Sequence, residues 1–421
     1  MSRVIGRLPS TLEDNGPSEN EHCVETVFSD ETISIFPCYN LYPKKSLRLS
    51  VSGNSEKLKS INLNCKNLVE DEIAPIKRKD ARSIQNPFKK YSIPDEITEQ
   101  IFSNLKKKDL LSAMLVCHRF YGIGHKSRNW IITDAQDRPI SEISLIALSQ
   151  RKIKVLRLAG AKADRILRAD ERLVEVALLS TSRLELLDLS RTNLTARQMQ
   201  IMLKPCQKLK CLSIEGNQLD DHVAICIAEN RGLRELDISM TNGITANGAS
   251  LIFRNCKDLQ QLNLAWCGLT QPIVTVIIHS IGEKLKKLNL SGTVRNFGIN
   301  NKHIEILAAK SNYVTDLDLS DNVEISDPGL AVILNKFPRL TTISLNRCYG
   351  LDPNMVVHFN SKPSLVYLNV HGCVSDTNME LFLEMCSNLK VNRQYFNFTA
   401  KPVSYQCESN MIWGQTMMDI E

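Results

Sequence analysis

The thirteen cysteines are the first side chains in this chain that could do chemistry, as thiolate nucleophiles or as metal ligands. Cys206 and Cys211 have four residues between them, and neither a second pair nor nearby histidines complete a zinc site. The eight histidines contain no His-Glu-x-x-His pair, and no Gly-x-Ser-x-Gly elbow is present. Gly122-Ile123-Gly124-His125-Lys126-Ser127 offers glycines and a Lys-Ser pair, as a phosphate loop does. Such a loop needs Gly-x-x-x-x-Gly-Lys-Ser/Thr after a buried strand, so that backbone amides cradle phosphate; here the spacing is wrong and the context helical. The plainer reading is a break between two helices. No catalytic constellation emerges, and we expect a non-enzyme without cofactor or metal.

What positions these residues is a repeat. Between residues 153 and 370 the chain writes apolar-x-x-apolar-x-apolar nine times, from Ile153-Leu156-Leu158 to Leu365-Leu368-Val370, at a period of 24 to 31 residues. A tenth, incomplete phrase starts at Leu389. A period in the twenties with this strand signature belongs to leucine-rich repeats, whose units bury their apolar faces only by stacking on one another. After each strand phrase come a turn, a cap and an amphipathic helix: Ser326 before Leu330, Ile333, Leu334 and Phe337; Ser375 before Met379, Phe382, Leu383 and Cys386; Thr245 before Ala249, Ile252, Phe253 and Cys256. The expected fold is α/β, a horseshoe solenoid with parallel strands on the concave face and helices on the convex face. The cysteines then acquire a structural reading. Cys206, Cys256 and Cys386 stand three residues before a strand phrase, and Cys267, Cys348 and Cys373 three residues after one.

The rest of the chain divides around this array. Residues 1–87 lack sustained periodicity and are expected to be disordered. Their phrase Leu58-Ile61-Leu63 fits the repeat template without a partner one period away. Residues 11–31 lean acidic, while Lys77 to Lys90 is basic and reads either as an import signal or as a solvated linker. Residues 88–136 form a small unit of short helices. Its first helix has Ile97, Ile101 and Phe102 as apolar side and closes at Leu105. A second, after a break at Lys106 to Lys108, has Asp109 as N-cap and Leu110, Leu111, Met114 and Leu115 as apolar face. A third short element ends near Trp130. About 40 residues are too few for an isolated core, so the unit should dock on something. About ten repeats follow over 140–395. The tail, 396–421, carries Phe396, Phe398, Tyr405, Ile412 and Trp413, and part of it should fold back to cover the open edge of the last repeat.

Composition narrows the function. The net charge is only +6, no apolar run reaches the roughly 18 residues of a membrane span, and Met1 to Asp14 has no apolar h-region. An odd cysteine count without paired spacing fits a reducing compartment, which makes the sequons at Asn193 and Asn397 chance matches. By strand alternation the concave row reads Asp188, Ser213, Asp237, Asn263, Asn289, Asp318, Ser344 and Asn369, flanked by Glu215, Glu235 and Asp316 against Lys287. So acid-leaning a surface repels phosphate backbones, and nucleic acid and membrane are excluded as partners. Just beyond the strands the later repeats present Trp266, Asp321, Arg347 and Tyr349, with Arg295 in a turn nearby. These are either ordinary turn residues or a protein-binding hot spot, which favours aromatic and arginine side chains.

Ser92-Ile93-Pro94-Asp95-Glu96-Ile97, Ile101-Phe102-Ser103-Asn104-Leu105, Asp109-Leu110-Leu111, Val116-Cys117-His118-Arg119-Phe120-Tyr121 and Trp130 together resemble an F-box, with Phe120 in place of the commoner Trp. Followed by leucine-rich repeats, residues 90 to 415 resemble the S-phase kinase-associated family of F-box proteins, through Asn263-Leu264-Ala265-Trp266-Cys267, Leu317-Asp318-Leu319-Ser320-Asp321, Ser344-Leu345-Asn346-Arg347-Cys348-Tyr349 and Ile412-Trp413-Gly414. The turn after Gly292 departs from that family, since its basic residue is displaced to Arg295. The resemblance implies a non-catalytic substrate receptor of a Skp-cullin-F-box ubiquitin ligase, in nucleus and cytoplasm. Pro94, Ile97, Ile101, Phe102, Leu105, Leu110, Leu111, Val116 and Trp130 would serve the Skp-family adaptor, and through it the cullin-RING ligase, dividing between core and interface. Trp266, Asp321, Arg347 and Tyr349 would hold a phosphorylated cyclin-dependent-kinase inhibitor, with a cyclin-kinase accessory subunit. The alternatives are a free-standing leucine-rich-repeat regulator and an F-box receptor for an unrelated target.

Overall fold

A computed structural model describes residues 93–140, 142–151, 153–162, 183–293, 298–310, 312–392, 399–402, 411–413 and 415–416. The phrase at Leu58, the acidic and basic stretches of the first 87 residues, and Arg295 lie outside them, as does the whole unit Met1–Ser34. All that follows concerns the unit Ile35–Glu421.

Eleven short strands make one parallel sheet in chain order. They are β1 Ile132–Asp134, β2 Val155–Arg157, β3 Leu186–Asp188, β4 Cys211–Ser213, β5 Glu235–Asp237 and β6 Gln261–Asn263. The series continues with β7 Lys287–Asn289, β8 Asp316–Asp318, β9 Thr342–Ser344, β10 Tyr367–Asn369 and β11 Lys390–Val391. The second apolar residue of each phrase sits mid-strand and pairs with its equivalent in the next repeat, Leu187 with Leu212 and Leu212 with Leu236. All three apolar positions of the phrases are buried in one continuous core. The helices supply the other wall: Ala249, Ile252 and Phe253 of Ala246–Asn255, and Leu330 and Ile333 of Asp327–Lys336, are buried there. Strands repeat every ~4.8 Å, whereas packed helices need 8–10 Å, so the sheet forms the inner wall of a curved stack.

The sheet begins before the first repeat phrase, because β1 follows the small helical unit and pairs in register with β2. It ends at β11, where the incomplete phrase at Leu389 contributes two residues. Leu383, expected in the buried stripe of the last helix, Met379–Met385, is exposed instead.

The row expected to line the concave surface is buried from Asp188 to Asn369. Its oxygens end the strands. Asp188, Asp237, Asn263, Asn289 and Asp318 each accept the N–H two residues on, at 2.9–3.1 Å, an Asx turn that closes these five repeats the same way. The row also starts two strands earlier than expected. Arg157 lies buried between Asp134 and Asp188, 3.5 and 3.7 Å from their carboxylates.

The described residues of the tail fold back onto the early strands of the sheet. Among the described residues, Ile412 is fully buried against Val155, with Ile132, Leu186 and Trp413 around it, and Lys401 reaches Glu215 at 3.6 Å. The sequence explains the site. The flanking column of the sheet is apolar in its first four strands (Ile132, Val155, Leu186, Cys211) and turns polar from the fifth, reading Glu235, Gln261, Lys287, Asp316 and Thr342 before Tyr367. The apolar end of the inner wall is what an apolar tail can cover.

Candidate functional site

Two surfaces among the described residues hold the side chains expected to bind partners. The first belongs to the small helical unit: α1 Asp95–Ser103, α2 Lys107–Met114, α3 His118–Lys126 and the 3-10 turn Arg128–Trp130. Asp109 is not the N-cap of α2, which starts two residues earlier with Lys106 as N-cap. The reason is Lys107, buried so that its ammonium donates to the Ile132 carbonyl of β1 at 2.5 Å. Gly122 to Lys126 is helical rather than a break, and a Cβ on Gly124 would stand 2.3 Å from Met114, so glycine there lets α3 close on α2. Docking is completed by Trp130. Its indole donates to the Gly124 carbonyl at 2.9 Å, and the Arg151 guanidinium lies 3.7 Å over its ring. Asn129 ties α1 to this turn by donating to the Phe102 and Leu105 carbonyls, each at 2.9 Å.

The apolar residues of this unit fall into two sets. Phe102, Leu110, Met114, Ile123 and Trp130 are buried, and Leu105 and Leu111 pack half-buried against them. Ile97, Ile101, Leu115 and Val116 are 46%, 50%, 67% and 70% exposed, and Pro94 is exposed as well. Thr98, not Ile97 or Ile101, shares the inner side of α1 with Phe102. Leu115, expected on the inner stripe of α2, is its C-cap and points out. Helical spacing shows which residues are apolar, but the crossing of α1 over α3 decides which of them the core receives.

The second surface is a row at the far end of the strands. Asp137, Gly160, Arg191, Gly216, Met240, Trp266, Gly292, Asp321, Arg347 and Gly372 occupy one repeat position, and all have positive φ, between 53° and 77°. The left-handed turn aims each N–H sideways at the next repeat: Trp266 donates to Ser291, Asp321 to Asn346 and Arg347 to His371, at 2.8–2.9 Å. Glycine takes this conformation freely, while other L-residues lose about 1–2 kcal/mol in it. Large side chains here lean on a neighbouring glycine. The Trp266 ring covers Gly292, where a Cβ would meet it at 2.6 Å; Arg347 and Tyr349 flank Gly372. Non-glycine residues held in strained turns point to use.

Of the four expected residues, Asp321, Arg347 and Tyr349 come together. Asp321 takes a two-pronged ion pair from Arg347, with Nη2 to Oδ2 at 2.7 Å and Nε to Oδ1 beside it. That bond holds the Arg347 pKa further up, against partial burial. Trp266 stands two repeats from Asp321 and three from Arg347 and Tyr349, at roughly 10 and 15 Å by strand spacing, with its ring turned toward them over Gly292. Trp266 and Tyr349 are half or more exposed. Met240, the preceding non-glycine residue of the row, shares that exposure and was not singled out from sequence; the shared repeat position is the signal that finds it.

The cysteines are structural where the structure describes them. Cys267, Cys348 and Cys373 donate to the Ile238, Leu319 and Leu345 carbonyls of the preceding repeats, at 2.9, 3.2 and 2.9 Å. Asn217, Thr293 and Asn322 make the same bond from the same position. Burial pushes the Cys256 and Cys267 thiols up to about 12, far from thiolate character. Among the described residues no three His, Cys, Asp or Glu side chains are grouped to hold a metal ion, and no helix is long and apolar enough to cross a membrane.

Residues 146–419 match the family described as SKP2 LRR domain, and residues 91–131 the family described as F-box-like. Among solved structures, the crystal structure of the Rad7 and Elc1 complex in yeast is similar at 14% identity and a TM-score of 0.44, over 81% of this chain and 93% of that chain.

Proposed function

This chain belongs to the SKP2 LRR domain family of F-box proteins, and from that premise we propose that it is the substrate-recognition subunit of a Skp-cullin-F-box ubiquitin ligase. The observation that carries the reading is the division of the F-box side chains. A unit with its own needs met by Phe102, Leu110 and Trp130 still displays Ile97, Ile101, Leu115 and Val116 to solvent. Such a patch marks an interaction site, and the Skp-family adaptor, leading to the cullin-RING ligase, is its occupant.

The role needs no chemistry from this chain. A receptor docked rigidly through Lys107 and Trp130 fixes its substrate at a set distance from the transferring enzyme and raises the effective concentration. The substrate side is the row of left-handed turns: Trp266 as aromatic anchor, Tyr349 three repeats further on, and Arg347 next to Tyr349 as the cation for an acidic or phosphorylated group. The target is a phosphorylated cell-cycle regulator of the cyclin-dependent-kinase-inhibitor type, held with a cyclin-kinase accessory subunit, in nucleus and cytoplasm. The turns are favoured over the inner wall, whose row from Asp188 to Asn369 is buried and whose first strands carry Ile412.

The test is retention of partners by the full chain from a dividing-cell extract, with and without phosphatase, repeated with Arg347→Ala. Retention of the adaptor in all arms, with loss of the substrate after phosphatase and in the variant, is the expected result. An adaptor never retained removes the ligase role; a substrate indifferent to phosphatase removes the phosphorylated target.

A further inference from the structure

The strands have two edges, and the one by which the chain enters them carries a charge that no part of the proposed receptor role uses. In the segments leading into β4, β5, β6 and β7 (204–210, 229–234, 254–260 and 279–286) nine lysines and arginines face three carboxylates. Two of these bases are paired, Lys210 with Glu185 and Lys284 with Asp258, each at 2.5 Å. Lys208, Arg231, Arg234 and Lys286 are exposed and form no salt bridge among the described residues. Their spacing is set by the backbone. The N–H of Arg234 donates to Lys210, that of Gln260 to Arg234 and that of Lys286 to Gln260, at 2.7–2.8 Å, so Lys210, Arg234, Gln260 and Lys286 stand in one file. The unpaired bases of the file, Arg234 and Lys286, stand two strands apart, about 10 Å, where like charges repel by roughly 0.4 kcal/mol even in water. An anionic chain laid across the file relieves that repulsion.

We propose that this strand-entry edge is a second docking surface, which takes an extended acidic stretch of polypeptide. Polypeptide is favoured over nucleic acid because none of the four segments contains Phe, Tyr or Trp on which an unpaired base could stack. The Trp266 row lies at the opposite edge, so one protein can occupy both or two can bind at once.

The probe is a fluorescent peptide of about ten glutamates, long enough to cross four strands at 3.4 Å per residue, added to the full chain at about 50 mM salt and read by anisotropy. Binding is expected to weaken at least roughly tenfold in Arg234→Glu/Lys286→Glu, and also at about 300 mM salt. Arg197→Glu/Lys302→Glu, which reverses the same charge on exposed helix positions, should leave it within about twofold. Arg234→Gln/Lys286→Gln guards against misfolding by the reversals and should weaken binding in the same sense. The proposal is overturned by no binding at low salt, by equal loss in both reversed variants, or by tighter binding of a thymidine oligonucleotide through Arg234 and Lys286.

Discussion

Replacing Ile101 and Val116 by glutamate is the sharpest test of the F-box surface, because both side chains are largely outside the core that folds the unit. Burying a whole Ile, Val or Leu side chain contributes about 1.5–3 kcal/mol. With half to two-thirds of each still exposed, Ile97, Ile101, Leu115 and Val116 offer about 1–1.5 kcal/mol apiece to a partner that covers them. Two glutamates remove half of that and add the desolvation of two carboxylates facing an apolar partner, a few kcal/mol more. The adaptor affinity should fall by about a thousandfold or more, equivalent to roughly 4 kcal/mol. Isothermal titration with purified adaptor reads this, and the thermal midpoint of the receptor alone should stay nearly constant. Phe102→Ala gives the contrast: it empties the core and should destabilise the unit by about 3–5 kcal/mol, visible as a lower midpoint. An affinity that changes less than about tenfold in the double variant, with the fold intact, refutes the assignment of these side chains to the adaptor.

Gly292→Ala should act on the substrate row without touching a substrate. Its φ of 53° disfavours any Cβ, and that Cβ would overlap the Trp266 ring, so we expect a loss of about 1–2 kcal/mol in urea unfolding together with weaker substrate retention. Asp237→Asn should change the pH dependence of stability. Burial raises the Asp237 carboxyl to about 7, against hydrogen bonds from Ser239 that pull it down, and its Oδ2 has no partner. A carboxyl with a folded pKa above its unfolded one is best tolerated neutral, so its contribution is fully present below about pH 4 and is lost as pH rises toward 7. Asparagine, as at Asn263 in the same row, should therefore raise the thermal midpoint at pH 8 and leave it nearly unchanged at pH 4.

Much of the site was legible because it is periodic. The period that identifies the strands also puts Trp266, Asp321 and Arg347 on one repeat position, and the Asp321 and Arg347 pair needs no information beyond neighbouring repeats. What spacing leaves open is chiefly which face is buried. Ile97, Ile101 and Leu115 carry helical spacing as good as that of Phe102, but spacing cannot tell the side that meets α3 from the side left for a partner. Lys106 to Lys108 looks like a polar break, and only the position of the Ile132 carbonyl shows that Lys107 is buried inside a helix. Strand alternation sends Asp188, Asp237 and Asp318 toward the concave side, yet the Asx turns and the crowding of adjacent rows remove them from solvent.

Local pattern therefore determined the strand register, the buried leucine columns and the thiols that tie one repeat to the next, because each depends on contacts between units one period apart. Tertiary structure alone decided how the helical unit seats on β1, which of its apolar residues stay free, and that Ile412 returns to Val155 at the far end of the sheet. Those contacts join residues separated by much of the chain, and no spacing within a sequence records which distant surface is left uncovered.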